Sequence, residues 1–172
     1  FNPQTGIVNY VASKLYLISE YIPWLTDFSL AMPTLITASI WKLFPFYMIV
    51  MLAGLQTISQ SITEAAVIDG AGRFHLFVYI TLPLLKRILT VAVLTSVIFN
   101  SKFFPLIWVL TAGGPGYATT TFIIDVYRTG FELLNLGQAA ALGSIFLVVL
   151  IGVCLAILFL SKIEFFLSRR YE

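Results

Sequence analysis

Residues 31–55 read AMPTLITASIWKLFPFYMIVMLAGL, an almost wholly apolar run. As a helix, roughly 25 residues at ~1.5 Å each would cover ~37 Å, enough for a tilted crossing of a bilayer core of ~30 Å. Pro45 lies inside the run and predicts a kink, because proline has no N–H to donate to the preceding turn. The run therefore predicts a membrane-spanning helix.

Two more apolar runs follow, at residues 84–110 and 138–160. The first of these begins beside Lys86 and Arg87, and the turn signal Gly-Gly-Pro-Gly at 113–116 closes it. Over the whole chain, 59% of residues are hydrophobic and 10% are charged, which lies outside the usual balance of a soluble domain. We therefore predict an all-α integral membrane protein in which one transmembrane domain, 1–172, contains three spans.

Positive charges indicate the orientation of these spans. They flank the middle loop and the C-terminal end, and they are Arg73, Lys86, Arg87, Lys162, Arg169 and Arg170. The positive-inside rule then places the middle loop and the C-terminus in the cytoplasm. Residues 1–28, predicted to be a loop with a short interfacial helix, lie on the outer face, as does a surface helix predicted over 119–136. An odd number of spans favours a partial domain whose earliest spans are absent.

Several other classes of protein are excluded by composition. The net charge is only +2 and the cations are scattered singly, so nucleic acid is not expected as a partner. Cys154 lies in an apolar run, where a lone cysteine packs as a small hydrophobe. His75 is the single histidine of the chain and is more typical of packing than of a metal site. Paired carboxylates or a cysteine–histidine set for catalysis are lacking, so no enzyme is predicted.

The loop between the first two runs reads SITEAAVIDGAGR from Ser61 to Arg73. Ser61 and Glu64 match a capping box, which predicts that a short helix starts there. Gly70 and Gly72 predict its end, since glycine accepts the left-handed conformation of a helix terminus. So short a helix is marginal in water, and its small alanine face would fit a groove on a partner. Pro83 is predicted to fix the turn into the next span.

These residues carry a resemblance to a known family. Glu64-Ala-Ala, Gly70 and Ile80-Thr-Leu-Pro83 resemble the EAA loop of the permease subunits of bacterial ABC importers. Ala53-Gly-Leu-Gln56 and Leu110-Thr-Ala-Gly-Gly-Pro115 resemble carbohydrate-uptake permeases of the maltose-transporter type. A plain capped connector would explain the glycines but not the agreement at residues 80–83. The resemblance implies a helical bundle of the importer-permease type.

The resemblance also implies a coupling loop over 59–83, which sits as a cytoplasmic coupling helix in a cleft of an ATP-binding subunit. Its functional residues are Glu64, Ala65, Ala66, Asp69, Gly70, Arg73 and Pro83. The implied partners are a second permease subunit, two ATP-binding subunits, an extracytoplasmic solute-binding protein and the lipid bilayer. ATP and Mg would be bound by the ATPase subunits, with no cofactor on this chain. The implied location is the bacterial inner membrane, crossed several times.

Polar groups inside the second apolar run indicate a solute path. Ser96 and Asn100 lie four residues apart on one helical face, and Phe103 continues that face. A hydroxyl, an amide and an aromatic ring together suit a sugar. The resemblance assigns solute contacts to Leu43, Phe46, Ser96 and Asn100. An alternative is that Ser96 and Asn100 form an interhelical hydrogen bond worth ~0.6–2 kcal/mol.

The solute predicted from the resemblance is a sugar or oligosaccharide, with glycerol phosphate or another small solute as the alternative. A different class, the ion-coupled secondary transporter, would use acidic residues inside the membrane as relays. The three apolar runs contain no Asp or Glu. The sequence therefore favours an importer subunit driven by a separate ATPase.

Overall fold

The computed structural model describes residues 1–168, with side chains as far as Lys162, and every regular element in that range is helical. The α-helices are α1 (Ile7–Lys14), α2 (Ala31–Gln56), α3 (Gln60–Ile68), α4 (Arg73–Leu76), α5 (Leu82–Ser101), α6 (Phe104–Leu110), α7 (Phe122–Tyr127) and α8 (Leu136–Ser168). Two π-helical turns, Phe77–Thr81 and Arg128–Glu132, follow α4 and α7. The predicted all-α class is confirmed, while Arg169 and Arg170 lie outside the described residues.

Three helical stretches are long and apolar enough to cross a membrane: Ala31–Gln56, Arg73–Ser101 and Leu136–Lys162. The first covers the predicted run 31–55. The second differs from the predicted helix at 84–110, because it starts earlier and stops at Ser101. Phe103 has a ψ of 45° and is not helical. Pro105, next in the chain after Phe104, has no N–H to donate to the carbonyl of Ser101, so the helix restarts as the separate α6.

The helix continues through Pro83, so the prediction that this proline fixes a turn is wrong. Pro83 lacks the N–H that would bond to the carbonyl of Tyr79 one turn back. The π-helical turn Phe77–Thr81 provides an alternative pattern, in which the N–H of Leu82 donates to the carbonyl of Phe77. A single helical rod therefore runs from Arg73 to Ser101.

The chain divides into two compact units, the first of which comprises Phe1–Lys42 and Ser101–Val149. The core of this unit consists of Leu35, Ile107 and Ile124, all buried. Phe104 and Trp108 pack against that core. The unit thus joins the start of α2 to α6 and α7 through side-chain packing.

The surface helix predicted over 119–136 is wrong as a single element. Helix α7 and its π-helical turn end at Glu132, and Leu134 adopts a positive φ of 53°. Asn135 then caps the next helix, because its Oδ1 accepts a hydrogen bond from the backbone N–H of Gln138 at 3.1 Å. One helix therefore ends at Glu132 and another begins at Leu136. The mean polarity of residues 119–136 does not reveal such a break.

The N-terminal segment contains the expected short helix, α1, and is held by Asn9, which is 1% exposed. The amide nitrogen of Asn9 donates to the carbonyls of Pro3 and Ile22 at 3.1 and 2.9 Å. Its carbonyl oxygen accepts from the indole N–H of Trp24 at 2.7 Å. The hydroxyl of Thr34 in α2 donates to the carbonyl of Trp24 at 3.2 Å. This network ties the segment to the first turn of α2.

Asp27 precedes α2 and closes a local turn. Its carboxylate accepts hydrogen bonds from the hydroxyl and backbone N–H of Ser29 and from the backbone N–H of Leu30. These donors, the hydroxyl of Ser29 first, favour the charged form and hold the pKa of Asp27 below its ordinary value.

The second unit comprises Leu43–Asn100 and the C-terminal part of α8. Helices α2 and α5 contact each other closely at Gly54, where an added Cβ would lie 2.9 Å from Ile88 Cδ1 and 3.1 Å from Leu85 Cδ2. Phe46 and Phe99 also meet, with ring centroids 6.4 Å apart. A small residue at 54 therefore sets the spacing of these two helices.

Helix α8 is the most apolar of the three long helices, with a mean hydropathy of 3.0 over its best window. None of that window is buried by the described part of this chain. The N-terminal part of α8 does contact the rest of this chain, since Ala139 is buried and the ring of Phe146 stacks on that of Phe122 with centroids 5.3 Å apart.

Candidate coupling segment and solute path

Helix α3 begins at Gln60, with Ser59 in the N-cap position. The predicted capping box of Ser61 and Glu64 is therefore wrong. The Ser61 hydroxyl lies 2.7 Å from the hydroxyl of Ser59, and the carboxylate of Glu64 accepts from the side-chain amide of Gln60 at 2.8 Å. Ser59 therefore precedes the helix, whereas Ser61 lies within its first turn.

The end of α3 matches the prediction at Gly70, which has a φ of +85°. The N–H of Gly70 donates to the carbonyl of Val67 at 3.0 Å, and the N–H of Ala71 donates to the carbonyl of Ala66 at 2.9 Å. These two bonds form a Schellman motif around the cap residue Asp69. Glycine is favoured at this position because a left-handed backbone is strained for other residues.

Gly72 has a different role from the predicted one. Its φ is −69°, and it is the N-cap of α4 rather than a stop for α3. The carbonyl of Gly72 accepts from the N–H of Leu76 at 2.9 Å. The link between α3 and α4 is therefore only the four residues 69–72, and it leads directly into the long helix that ends at Ser101.

The two alanines of α3, Ala65 and Ala66, differ in their burial. Ala66 is buried, and it lines a depression of about 400 Å³ together with Gly70, His75 and Ile80. Ala65 is exposed, so it is the member of the pair that a partner could contact. The imidazole of His75 stacks on the Tyr79 ring at 4.3 Å, as expected for a packing residue.

Large apolar side chains cover the outside of this segment. Ile68 is 85% exposed and Phe74 is 80% exposed, with Ile62 and Val67 also exposed. The charged residues predicted to be functional, Glu64, Asp69 and Arg73, are exposed as well. Ile62, Val67 and Ile68 lie on the short helix α3 between two spans, whereas Phe74 lies in the first turn of the long stretch Arg73–Ser101. The segment has the composition of a protein-binding surface.

The residues predicted for a solute path lie on two helices of the second unit. Leu43 and Phe46 are on α2, and Ser96 and Asn100 are on α5. The amide nitrogen of Asn100 donates to the carbonyl and the hydroxyl of Ser96 at 2.8 and 3.1 Å. The hydrogen bond that the alternative assigned to helix packing therefore runs within α5.

Phe103 does not continue the face of Ser96 and Asn100, because α5 ends at Ser101. The ring of Phe103 instead lies under the ammonium group of Lys42, 4.9 Å from the ring centroid. The aromatic ring that α5 does supply near its end is Phe99, which meets Phe46 of α2.

Comparison with known proteins identifies the chain. A family model described as "Binding-protein-dependent transport system inner membrane component" matches residues 7–164. The chain belongs to this family. The matched range includes the whole segment 59–83 and both helices of the predicted path, and it contains the three long apolar helices. As a member of this family of inner membrane components, the chain is a multi-pass membrane protein.

Individual relatives in the family are also similar over most of this chain. A probable ABC transporter permease protein of Pyrococcus horikoshii is 36% identical over 161 residues, 94% of this chain and 55% of the relative. The trehalose/maltose transport system permease protein MalF of Thermococcus litoralis is 41% identical over 138 residues, 80% of this chain and 45% of the relative. The sn-glycerol-3-phosphate transport system permease protein UgpA of Yersinia pseudotuberculosis is 36% identical over 155 residues, which are 88% of this chain and 51% of the relative.

Solved structures show the same fold. A bacterial ABC transporter involved in the import of the acidic polysaccharide alginate matches with a TM-score of 0.80 at 28% identity, over 94% of this chain and 56% of that one. A bacterial alginate ABC transporter in complex with an alginate pentasaccharide-bound periplasmic protein matches with a TM-score of 0.77 at 28% identity. The match covers 91% of this chain and 54% of that one. The fold is the helical bundle of importer permeases. The chain spans about half the length of the relatives it matches.

One polar group in the helices of this family member was not singled out by sequence reasoning. The hydroxyl of Tyr47, beside Phe46 on α2, is buried and has no hydrogen-bond partner among the described residues. A buried hydroxyl without a partner is costly, so this group is an exception to the usual pairing of buried polar atoms. Its position on α2 makes Tyr47 a further candidate for the predicted path. Within an apolar run a tyrosine counts as one more hydrophobic residue, so the pattern of apolar residues does not single out this hydroxyl.

Proposed function

We propose that this protein is a permease subunit of an ATP-driven ABC importer and that segment 59–83 couples it to a separate ATPase. The observation that carries the proposal is the exposed apolar surface of Ile62, Val67 and Ile68 on the short helix α3, which lies between two long apolar helices. A helix of 9 residues such as α3 is marginal when isolated, and burial of its exposed face by a partner would stabilise it.

The coupling residues in this proposal are those with exposed side chains on the segment, together with the glycine that shapes it. Glu64, Ala65, Asp69 and Arg73 contact the ATPase, and Gly70 ends α3 so that the segment presents a compact surface. Ala66 and Pro83 act from within: Ala66 packs in the depression, and Pro83 lies in the helix that leads into the membrane. Closure of the ATPase pair would then displace α3 and, through α4, the long helix.

The proposed assembly contains a second permease subunit, two ATP-binding subunits that hold ATP and Mg, and an extracytoplasmic solute-binding protein. The exposed apolar side chains of α8 support a second membrane subunit, since no residue of its most apolar window is buried within the described chain. The similar alginate transporter in complex with a periplasmic protein supports the solute-binding protein. In the bacterial inner membrane, segment 59–83 and the C-terminus face the cytoplasm, as the positive-inside rule indicates.

A neutral sugar or oligosaccharide is the proposed solute. Leu43, Phe46, Ser96 and Asn100 contribute apolar surface, a hydroxyl and an amide, and none of these side chains is charged. A phosphate or carboxylate group would call for a cation, most often arginine, in the path. The similar trehalose/maltose permease agrees better with this chemistry than the similar glycerol-3-phosphate permease does.

Co-purification tests the coupling assignment directly. The chain is co-expressed with the ATPase and the second permease subunit of the proposed assembly. Ile68→Asp is compared with Ile7→Asp, a matched control at a residue of similar exposure on α1. We expect the ATPase to co-elute with the wild type and the control and to be reduced at least tenfold with Ile68→Asp. Full co-elution with Ile68→Asp would contradict the assignment.

Transport in vesicles tests the energy source. Uptake of a labelled sugar by the reconstituted complex should require ATP on the side of the membrane where segment 59–83 lies. It should persist when ionophores collapse the ion gradients. Uptake that instead follows an ion gradient without ATP would identify a secondary transporter and overturn the proposal.

A further inference from the structure

A lysine lies in the middle of the first long apolar helix, α2, and neither the predicted path nor the coupling segment makes use of it. Eleven residues of α2 precede Lys42 and fourteen follow it, so at ~1.5 Å per residue it lies ~17 and ~21 Å from the two ends of the helix. The four-carbon stem of a lysine is too short to reach either end. An ammonium group at this depth is costly in lipid, so it calls for a defined environment.

The ring of Phe103 forms one side of that environment. The Lys42 ammonium lies 4.9 Å from the centroid of this ring, within the ~6 Å over which an aromatic face attracts a cation. Phe103 is half-buried and belongs to the non-helical break between α5 and α6. The contact therefore fixes the direction of the lysine side chain, which points toward this break.

Acidic residues that could neutralise the charge are lacking on the helices concerned. Helices α2, α5 and α6 contain no Asp or Glu. An aromatic ring attracts a cation but carries no net charge, so the positive charge of Lys42 is not cancelled by Phe103. Ionisable side chains within membrane spans face a water-filled cavity or the interior of a helix bundle. The lysine thus indicates which face of α2 is turned away from lipid.

Ser39 lies on the same face of α2. It precedes Lys42 by three residues, a spacing that places both side chains on one side of a helix. Phe46, a residue of the predicted path, follows Lys42 by four residues on the same helix. A hydroxyl and an ammonium on one face of an otherwise apolar span are typical of a face that lines an aqueous path.

We propose that Lys42 is a specificity-determining residue of the solute path: its ammonium repels cationic solutes such as amino sugars, and Phe103 holds that ammonium in position. Charge of one sign in a narrow passage with low-dielectric walls excludes solutes of the same sign. This inference rests on the proposed function, in which the path residues lie on α2 and α5.

The same charge does not require an anionic solute. A lysine is a point charge without the fork of a guanidinium, which clamps a phosphate or carboxylate through two hydrogen bonds. A neutral sugar has hydroxyl oxygens that accept a hydrogen bond from an ammonium. Lys42 therefore admits the neutral sugar and excludes its amino analogue, which has a similar size but carries a positive charge.

Thiol labelling of the complex in nanodiscs, with cysteine-free partner subunits, measures the charge beside Lys42. Ser39→Cys in a Cys154→Ser background places a single thiol on the same face of α2. The thiol is treated with methanethiosulfonate reagents that carry a cationic, an anionic or a neutral group, the cationic reagent standing in for an amino sugar. Relative to their rates with a free thiol in solution, the anionic reagent should react about tenfold faster than the cationic one.

Variants assign this ratio to particular residues. Lys42→Met should bring the two rates within about twofold, and Phe103→Leu should give an intermediate ratio. The matched control is Lys14→Met, because Lys14 also lies over a ring, 5.8 Å from the centroid of Tyr10, but on α1 outside the long helices. The control should keep the tenfold ratio, and the neutral reagent should react equally in all variants.

An equal ratio with and without Lys42 would overturn the selectivity role. A thiol at position 39 that none of the reagents reaches would place this face of α2 against another helix and overturn the role as well. An unchanged ratio in Phe103→Leu would overturn the part assigned to the ring. The labelling rates need neither ATP nor a solute, so they decide the role of Lys42 even where the uptake experiment refutes the ATP-driven importer.

Discussion

Replacement of Gly70 by alanine isolates the contribution of one backbone conformation to the coupling segment. An alanine Cβ at Gly70 would meet nothing within 4 Å, so the substitution introduces no clash, but φ is +85° there. A left-handed L-residue costs roughly 1–2 kcal/mol. Gly72 provides the matched control, because its Cβ position is equally open and its φ is −69°. Alanine at Gly72 should be neutral or stabilising by about 0.4–1 kcal/mol.

The expected cost can be measured at the amides that close α3. A cost of 1–2 kcal/mol corresponds to a roughly 5- to 30-fold increase in the opening equilibrium, at about 1.4 kcal/mol per factor of ten. Hydrogen exchange of the Ala71 amide, which donates to the carbonyl of Ala66, should accelerate by this factor in Gly70→Ala and not in Gly72→Ala. Sugar uptake per ATP hydrolysed should fall in the same variant, because the partner meets a frayed helix.

Two outcomes would refute this reasoning. Equal acceleration in both alanine variants would mean that added side-chain bulk, not the sign of φ, determines the effect. No acceleration in Gly70→Ala would mean that the Schellman motif does not limit the opening of α3. Gly70→Asn should fall between glycine and alanine, since asparagine tolerates the left-handed region better than alanine does.

Three further predictions concern the packing outside the coupling segment. Asn9→Ala should destabilise the protein by about 1–3 kcal/mol, read as a lower Tm, because the half-buried Trp24 N–H and two carbonyls lose the buried side chain that pairs with them. Gly54→Ala should lower the Tm by overpacking against Ile88, at a cost of about 1–3 kcal/mol, whereas an unchanged Tm would show that α2 and α5 separate freely. Because the pKa of Asp27 is lowered in the folded protein, its carboxylate stabilises the turn at any pH above its pKa in the unfolded chain, about 3.9. This stabilisation is lost as the pH falls through the lowered pKa of the folded protein. Asp27→Asn should abolish this loss at acidic pH, measured by amide exchange in the turn.

The features that the sequence predicts well are those determined within a few residues. The run 31–55 forms one helix because its apolar length is uninterrupted, and Gly70 ends α3 because only a permissive backbone fits there. The start of α3 was not predictable in this way. Ser59 and Ser61 are both acceptable caps, and the competing interaction of Glu64 with the side chain of Gln60 removes the reciprocal bond on which a capping box depends.

Two prolines illustrate why the bounds of the second long helix were missed. Pro83 and Pro105 both remove a helical N–H. At Pro83 the π-helical turn before it rearranges the hydrogen bonds and the helix continues, whereas before Pro105 the chain leaves the helix at Phe103. The two sites differ in whether the backbone hydrogen bonds of the preceding turn rearrange around the proline. Hydropathy carries no information about these hydrogen bonds. The four residues assigned to the solute path remain a prediction, because their role depends on a solute and on a second subunit.

The continuity of the long helix gives the proposed coupling a physical basis. Arg73 and the pair Ser96 and Asn100 lie on one helical stretch, Arg73–Ser101, of 29 residues. At ~1.5 Å per residue, Arg73 and Ser96 are separated by ~35 Å along the helix, more than the thickness of a bilayer core. A displacement of α4 by a partner would therefore reach the predicted path without passing through a flexible loop. The π-helical turn Phe77–Thr81 lies between them, and because its hydrogen bonds already depart from the α pattern, it is where the helix can bend at least cost.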